Sequence, residues 1–150
     1  MANIVPDSFK TDLLKGTFNF DTAGSGGDTF NIALYTSQAA FSTATTAYIT
    51  TNEVSSVGTN YPAGGQALTN NGVAISSNIA YIDFGDETFP SVTLSATGAL
   101  IYKDTSNEAV LVLDFGGTKT ATTEISLFSF QLLIHLMQSF VWVTHKNYRE

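Results

Sequence analysis

Apolar and polar residues change their spacing along this chain, and each change marks a change of structure. From Val5 to Gly16 the apolar positions Phe9 and Leu13 fall four apart, on one face of a helix. Pro6 and Asp7 or Ser8 suit its start and Gly16 its stop, so one short N-terminal helix is expected, lying as a lid on a sheet. After it the period becomes two. Phe18 and Phe20 alternate; then Phe30, Ile32 and Leu34 share one face of a strand, with Asn31, Ala33 and Tyr35 on the other. Further strands are expected at Tyr48 to Val54, Gln66 to Thr69, Val73 to Ser76, Ala80 to Phe84, Val92 to Ala96, Ala99 to Tyr102 and Val110 to Phe115. Turns are expected at Asn70-Asn71-Gly72, Gly85-Asp86 and Asp104-Thr105-Ser106-Asn107, and loops at Gly24-Ser25-Gly26-Gly27 and Ser37 to Thr46. Many short strands with regular turn signals and one helix predict an all-β fold, an antiparallel β-sandwich or jelly-roll-like barrel.

The pattern changes again near Thr122. Before it there is no His, Trp or Arg, and all 12 Gly residues lie at or before Gly117. From Thr123 onward come both His, the one Trp, the one Arg and the second Met, with no Gly, Pro or Asp. The domain is therefore expected at residues 1–122, and residues 123–150 read as an aberrant apolar tail. No charged residue stands between Ile125 and Thr144, about the length of a membrane-spanning helix. Yet Ile125, Phe128, Leu132, Leu136, Phe140 and Val143 are matched by Leu127, Phe130, Ile134, Met137 and Val141 on the opposite side, and Ser, Gln and His interrupt both. A shifted reading frame explains the break more economically. With one nucleotide restored after Thr122, synonymous codons for the tail can read NGDFTIQFPAADSSNAIIRMGNT, an Asn-Gly turn followed by an alternating strand in the style of the preceding residues. On that reading His135, Trp142, His145 and Arg149 carry no function.

Composition narrows the chemistry. A chain of 150 residues, 43% hydrophobic, is the size of one domain with a core of its own. With Cys 0 there is no disulfide framework and no thiolate metal site. Only 13% of residues are charged and the net charge is -7, so surface polarity rests on Ser, Thr, Asn and Gly. Nucleic acid is not an expected partner, because Lys10, Lys15, Lys103 and Lys119 are scattered and unaccompanied by Arg. Met1 to Phe9 has neither a basic nor an apolar run, so no secretory signal is expected there.

Candidate catalytic groups are few. Gly24-Ser25-Gly26-Gly27-Asp28-Thr29 lacks the Gly-Lys-Ser/Thr of a phosphate-binding loop and reads as a linker. Ile82-Asp83-Phe84-Gly85 and Leu113-Asp114-Phe115-Gly116 both contain Asp-Phe-Gly, but the other kinase motifs are missing and both read as strand ends. Asp83, Asp86 and Glu87 can be imagined around Ca²⁺, yet their spacing is not that of an EF-hand and a solvated acidic turn accounts for them; Asp21 and Asp28 offer less. A hydrolytic triad needs a base beside its nucleophile, and residues 1–122 contain no His. Hence no catalytic residue, no cofactor and no metal ligand is assigned, and a non-enzymatic protein is expected.

Several segments resemble a group of small virion-associated proteins of tailed bacteriophages, of the type common in phages of marine bacteria and cyanobacteria. They are Val5-Pro6-Asp7-Ser8-Phe9-Lys10, Asp28-Thr29-Phe30, Ile32-Ala33-Leu34-Tyr35-Thr36-Ser37, Thr51-Asn52-Glu53-Val54, Gly64-Gly65, Gly98-Ala99-Leu100-Ile101-Tyr102 and Val112-Leu113-Asp114-Phe115. The resemblance runs over roughly residues 3–122, and Ile-Ala-Leu-Tyr-Thr-Ser is its most distinctive part. It implies a structural virion component located in the particle, either capsid decoration or a tail- or fibre-associated module, that partners other virion proteins and copies of itself without a membrane. It transfers no catalytic or ligand residue. An alternative is a tail module binding host glycans through exposed aromatics such as Tyr48, Tyr61, Tyr81 or Tyr102, although aromatics favour strands for packing reasons alone.

Overall fold

The computed structural model describes residues 2–122, 124–127 and 131–133, and it is mostly β with one short helix. Helix α1 spans Asp7–Leu14, with Pro6 at its N-cap and Gly16, at φ +72°, just past its end. The expected apolar pair behaves as a lid, since Phe9 is buried and Leu13 packs against the same cluster. Asp7 and Lys10 pair on the outer face at 2.8 Å, and the Lys10 ammonium holds the exposed Asp7 carboxyl below its usual range.

Strands β1 (Phe30–Tyr35), β2 (Gln66–Ala67), β3 (Asn70–Ser76), β4 (Ile79–Phe84), β5 (Glu87–Pro90), β6 (Leu94–Lys103), β7 (Ala109–Ala121), β8 (Glu124–Leu127) and β9 (Gln131–Leu133) follow. Every strand pairing among the described residues is antiparallel. Among the described residues they form three sheets, ordered β2-β1-β6-β7, β3-β4-β9 and β5-β8, none closed into a barrel. The β6–β7 hairpin turns through Asp104 to Asn107, and Asn107, at φ +63°, takes the left-handed conformation that Asn tolerates. Val112 exchanges two backbone hydrogen bonds of 2.9 Å with Ile4, and the Asn3 side chain accepts one from the Asp114 amide. Residues 3 and 4 thereby cover the outer edge of β7, which would otherwise invite pairing with another chain.

The four-stranded sheet is buried on both faces. Phe30, Ile32 and Leu34 of β1 join Ala99, Ile101, Leu111 and Leu113 on one side, together with Ile82 and Phe84 of β4 and Phe89 of β5. Ala33, Tyr35, Leu100, Tyr102 and Val112 lie on the other, beneath Phe41 and the half-buried Tyr48 and Ile49. The division of β1 follows the period of two in the sequence. Phe9, Phe18, Phe20, Phe30 and Phe84 form an aromatic chain in the larger cluster, with Phe20 stacked on Phe30 at 4.8 Å between ring centroids.

Several sequence expectations are corrected. Phe18 and Phe20 are buried but belong to no strand, because they dock on the sheet by their rings rather than by backbone pairing. Tyr48 to Val54 is a loop tied to the sheets by isolated bridges, Ala47 to Glu108 and Tyr35 to Glu53. Asn70-Asn71-Gly72 opens β3 instead of turning; the register slips between Asn70 and Gly72, and the Asn70 side chain donates to the Phe20 and Asp21 carbonyls. Val92 is not in a strand, while Leu94–Lys103 continues without interruption through Thr97 to join two expected strands into one. Strand β7 likewise runs on past Phe115 to Ala121. Beyond Thr122, the backbone at Glu124–Leu127 pairs with β5 and that at Gln131–Leu133 with β4. His135, Trp142, His145, Arg149 and the rest of the tail lie outside the described residues.

Candidate functional site

The densest polar constellation is built around Glu53, in the loop that crosses the edge of β1. Asn52 adopts φ +64° and Glu53 bridges to Tyr35, which aims the carboxylate back under the loop. Its Oε2 accepts a hydrogen bond of 2.5 Å from the Tyr48 hydroxyl, and its Oε1 accepts from the Tyr61 hydroxyl at 3.1 Å and the Gly64 amide at 2.6 Å. The Tyr61 hydroxyl in turn accepts from the Leu34 amide at 2.8 Å. Tyr35 donates to the Ile49 carbonyl at 2.6 Å and Tyr102 to the Gly64 carbonyl at 2.7 Å. The Tyr48 and Tyr102 rings stack at 4.7 Å.

Burial and charge both favour the protonated form of the four tyrosines. Burial pushes the Tyr35, Tyr48, Tyr61 and Tyr102 hydroxyls up from the ordinary tyrosine value, and the negative charge of Glu53 pushes each further the same way. All four phenols are therefore hydrogen-bond donors at neutral pH. Both Glu53 oxygens and all four hydroxyls have protein partners, so the arrangement acts as a clamp holding the 48–64 loop on β1.

Gly65 closes the clamp on its far side. It has φ +79°, and a Cβ there would overlap the Ile32 carbonyl, so only glycine lets the chain pass from the clamp into β2. The Gly64-Gly65 pair of the sequence thus has a backbone reason.

The other candidate residues are placed apart from this cluster. Asp28 accepts from the Asn19 amide at 2.7 Å and pairs with Lys103 at 3.0 Å, a contact in which both side chains are largely buried. The same ammonium donates to the Thr17 carbonyl at 3.0 Å, so Lys103 and Asp28 fasten the Phe18 segment to β6. Asp21 accepts from the Thr22 amide at 3.1 Å beside a 3-10 turn at Ala23–Ser25, and Gly24 to Gly27 forms that compact turn rather than a loose linker. Asp83 accepts from the Asn71 side chain at 3.0 Å, Glu87 accepts from Gln66, and Asp86 is exposed. Among the described residues, no three carboxylate or imidazole side chains meet where a metal ion could be held. None of their helices is long and apolar enough to cross a membrane.

Of the four aromatics considered for glycan contact, Tyr61 and Tyr102 are buried in the clamp, while Tyr48 and Tyr81 are half-buried. Sequence reasoning missed Glu53 as the centre of the cluster and Gln38 as a buried polar residue. The available signal for Glu53 was an isolated charge beside Val54 in a charge-poor stretch rich in tyrosine. Compared with protein-family models, with curated proteins and with solved structures, the chain has no significant match.

Proposed function

We propose that this chain is a non-enzymatic structural protein of a tailed-bacteriophage virion, a module that decorates the capsid or joins the tail or fibre apparatus. In this reading its sheets pack as an antiparallel β-sandwich of jelly-roll type. The sharing of one apolar cluster by β1, β6 and β7 with Ile82, Phe84 and Phe89 supports that packing. The observation that carries the functional reading is the inward use of the polar constellation together with the outward display of apolar side chains. Glu53 and its tyrosines are spent on holding a loop, whereas Val73 and Ile75 stand exposed on a strand. A protein organised this way offers surfaces to neighbours rather than a reaction centre to a substrate.

The most distinctive segment of the phage resemblance has a fold-level role. Ile32 to Tyr35 are fully buried in the central strand, so that segment specifies the core and leaves the partners to be set by the exposed loops and hairpins. The reading as a tail module that binds host glycans is weakened by the burial of Tyr61 and Tyr102. Mass spectrometry of purified particles with immunogold labelling separates the two. Many copies over the head are expected for decoration and few copies at a tail tip for host binding; absence from the particles overturns both.

A further inference from the structure

Strand β3 leaves the rest of the protein after Gly72. That glycine is buried, but every residue from Val73 to Asn78 is exposed, Val73 by 58% and Ile75 by 74%. In its sheet β3 is an edge strand, hydrogen-bonded to β4 alone among the described residues. The hairpin closes through Ser77 and Asn78 at φ +49° and +64°, the two left-handed residues of a type I′ turn.

That turn fixes which backbone groups are used. Ser76 faces Ile79 as the closing hydrogen-bonded pair, so Ala74 bonds to Tyr81 one step further down, while Val73 and Ile75 point their N–H and C=O groups at the open edge. The same two residues carry the exposed apolar side chains, both on one face of the strand.

We propose that two copies of this chain join through this edge, β3 pairing antiparallel with β3 of a second copy about a twofold axis at Ala74. In that register Val73 of each copy exchanges both backbone hydrogen bonds with Ile75 of the other, and Ala74 faces Ala74. The two β-branched side chains stand side by side across the seam, a favourable cross-strand pair.

Two features select a second copy as the occupant. A twofold axis at Ala74 sets residue 73 of each copy against residue 75 of the other, and Val73 and Ile75, both β-branched, make a favourable pair with small Ala74 between them. Protected edges carry Lys, Pro or an inward charge, yet from Asn70 to Ala80 there is no charged residue and no Pro. With a net charge of -7, copies repel one another over much of their surface, and this uncharged hairpin is a place where they can approach.

The proposal stands apart from the virion reading, because the purified chain in solution tests it. Sedimentation velocity of the full chain is expected to show a dimer, and Ile75→Lys to give a folded monomer whose unfolding midpoint, unlike that of the unmodified protein, does not rise with protein concentration. Because the chain has Cys 0, Ala74→Cys introduces a single thiol. Facing residues of a non-hydrogen-bonded antiparallel pair lie within disulfide reach, so oxidation is expected to give a covalent dimer. Val57→Cys, 86% exposed and in a loop outside β3, is expected to cross-link much more slowly. A monomer at every concentration overturns the proposal, as does equal cross-linking of the two cysteine variants or a dimer indifferent to Ile75→Lys. Slow hydrogen exchange at the Val73 and Ile75 amides in a monomeric sample would assign the edge to another segment of the same chain, and so would also overturn it. If Ile75→Lys fails to fold, the cysteine comparison decides alone.

Discussion

The side-chain amide of Gln38 occupies the space in which Gly98 would carry a Cβ. Gln38 is 5% exposed and donates to the Leu113 carbonyl, so a loop residue satisfies a backbone acceptor of β7 across the sheet. Gly98 is the β6 residue that makes room for it, facing Tyr35 on one side and Asp114 on the other, where the β6–β7 register slips. A side chain at position 98 would meet both the amide and the Leu113 carbonyl.

Gly98→Ala is accordingly expected to destabilise the protein by about 3 kcal/mol, the upper part of the range for forcing volume into a packed interior. Gln38→Ala removes the side-chain hydrogen bond to the Leu113 carbonyl and is expected to cost about 0.5–1.5 kcal/mol. The double variant relieves the contact with Gln38, so its loss should be smaller than the sum of the two. Urea unfolding of the four proteins measures this coupling, and strict additivity would refute the steric account.

Alkaline pH should unfold the protein through the tyrosine clamp. The folded state holds the Tyr35, Tyr48, Tyr61 and Tyr102 protons more tightly than the unfolded chain, whose tyrosines release theirs near pH 10. Above that pH the unfolded state binds fewer protons, so stability is full below about pH 10 and falls as the pH rises beyond it. Urea midpoints measured upward from neutral pH are expected to stay level with respect to these groups and then to drop. Tyr48→Phe, which removes one of the four titrating hydroxyls, should flatten the drop. An unchanged slope in that variant would separate Tyr48 from the effect.

Glu53→Gln tests whether the carboxylate is what holds the clamp. The amide is nearly isosteric, but its nitrogen is a donor and must face either the Tyr48 hydroxyl or the Tyr61 and Gly64 donors. Loss of about 2–3 kcal/mol is expected, the range for hydrogen bonds to a charged acceptor. Hydrogen exchange should locate the loosening at the Leu34 amide, whose acceptor Tyr61 is released with the carboxylate. Stability equal to that of the parent would show the negative charge to be dispensable.

How much of this was legible in the sequence depended on whether a residue's role is local. The period of two from Phe30 to Tyr35 placed β1 and divided its two faces, because alternation follows directly from strand geometry. Pro6 and Gly16 bracketed α1 by their own backbone preferences. The Phe18-Phe20 pair alternates as a strand does, yet long-range ring packing holds it without a ladder. Asn70-Asn71-Gly72 carries a turn signal and becomes a bulged strand start, since the Asn70 amide finds carbonyls about fifty residues away. The true turn, Ser77-Asn78, lacks the Gly that would have announced it. Glu53 stood out in the sequence only as an isolated charge; the partners that make it central come from loop and backbone positions that only the tertiary fold brings together.

The tail supplies the last prediction. The sequence changes style at Thr122, as a shifted frame would make it, and the backbone after it pairs with β5 at Glu124–Leu127 and with β4 at Gln131–Leu133. If residues 123–150 stand where other strands belong, the restored text, with its Asn-Gly turn and alternating Phe-Thr-Ile-Gln-Phe, should make better partners than text lacking any Gly or Pro. A chain ending at Thr122 would leave β5 and the second edge of β4 without those partners, and open edges promote aggregation. Soluble yield is therefore expected to be highest for the restored frame, lower for the chain with its present tail, and low for the chain cut at Thr122. Resequencing the gene across Thr122 tests the premise directly. Equal solubility of the restored and present forms would count against the frameshift, whereas rescue by the restored text alone would locate the end of the native design at Thr122.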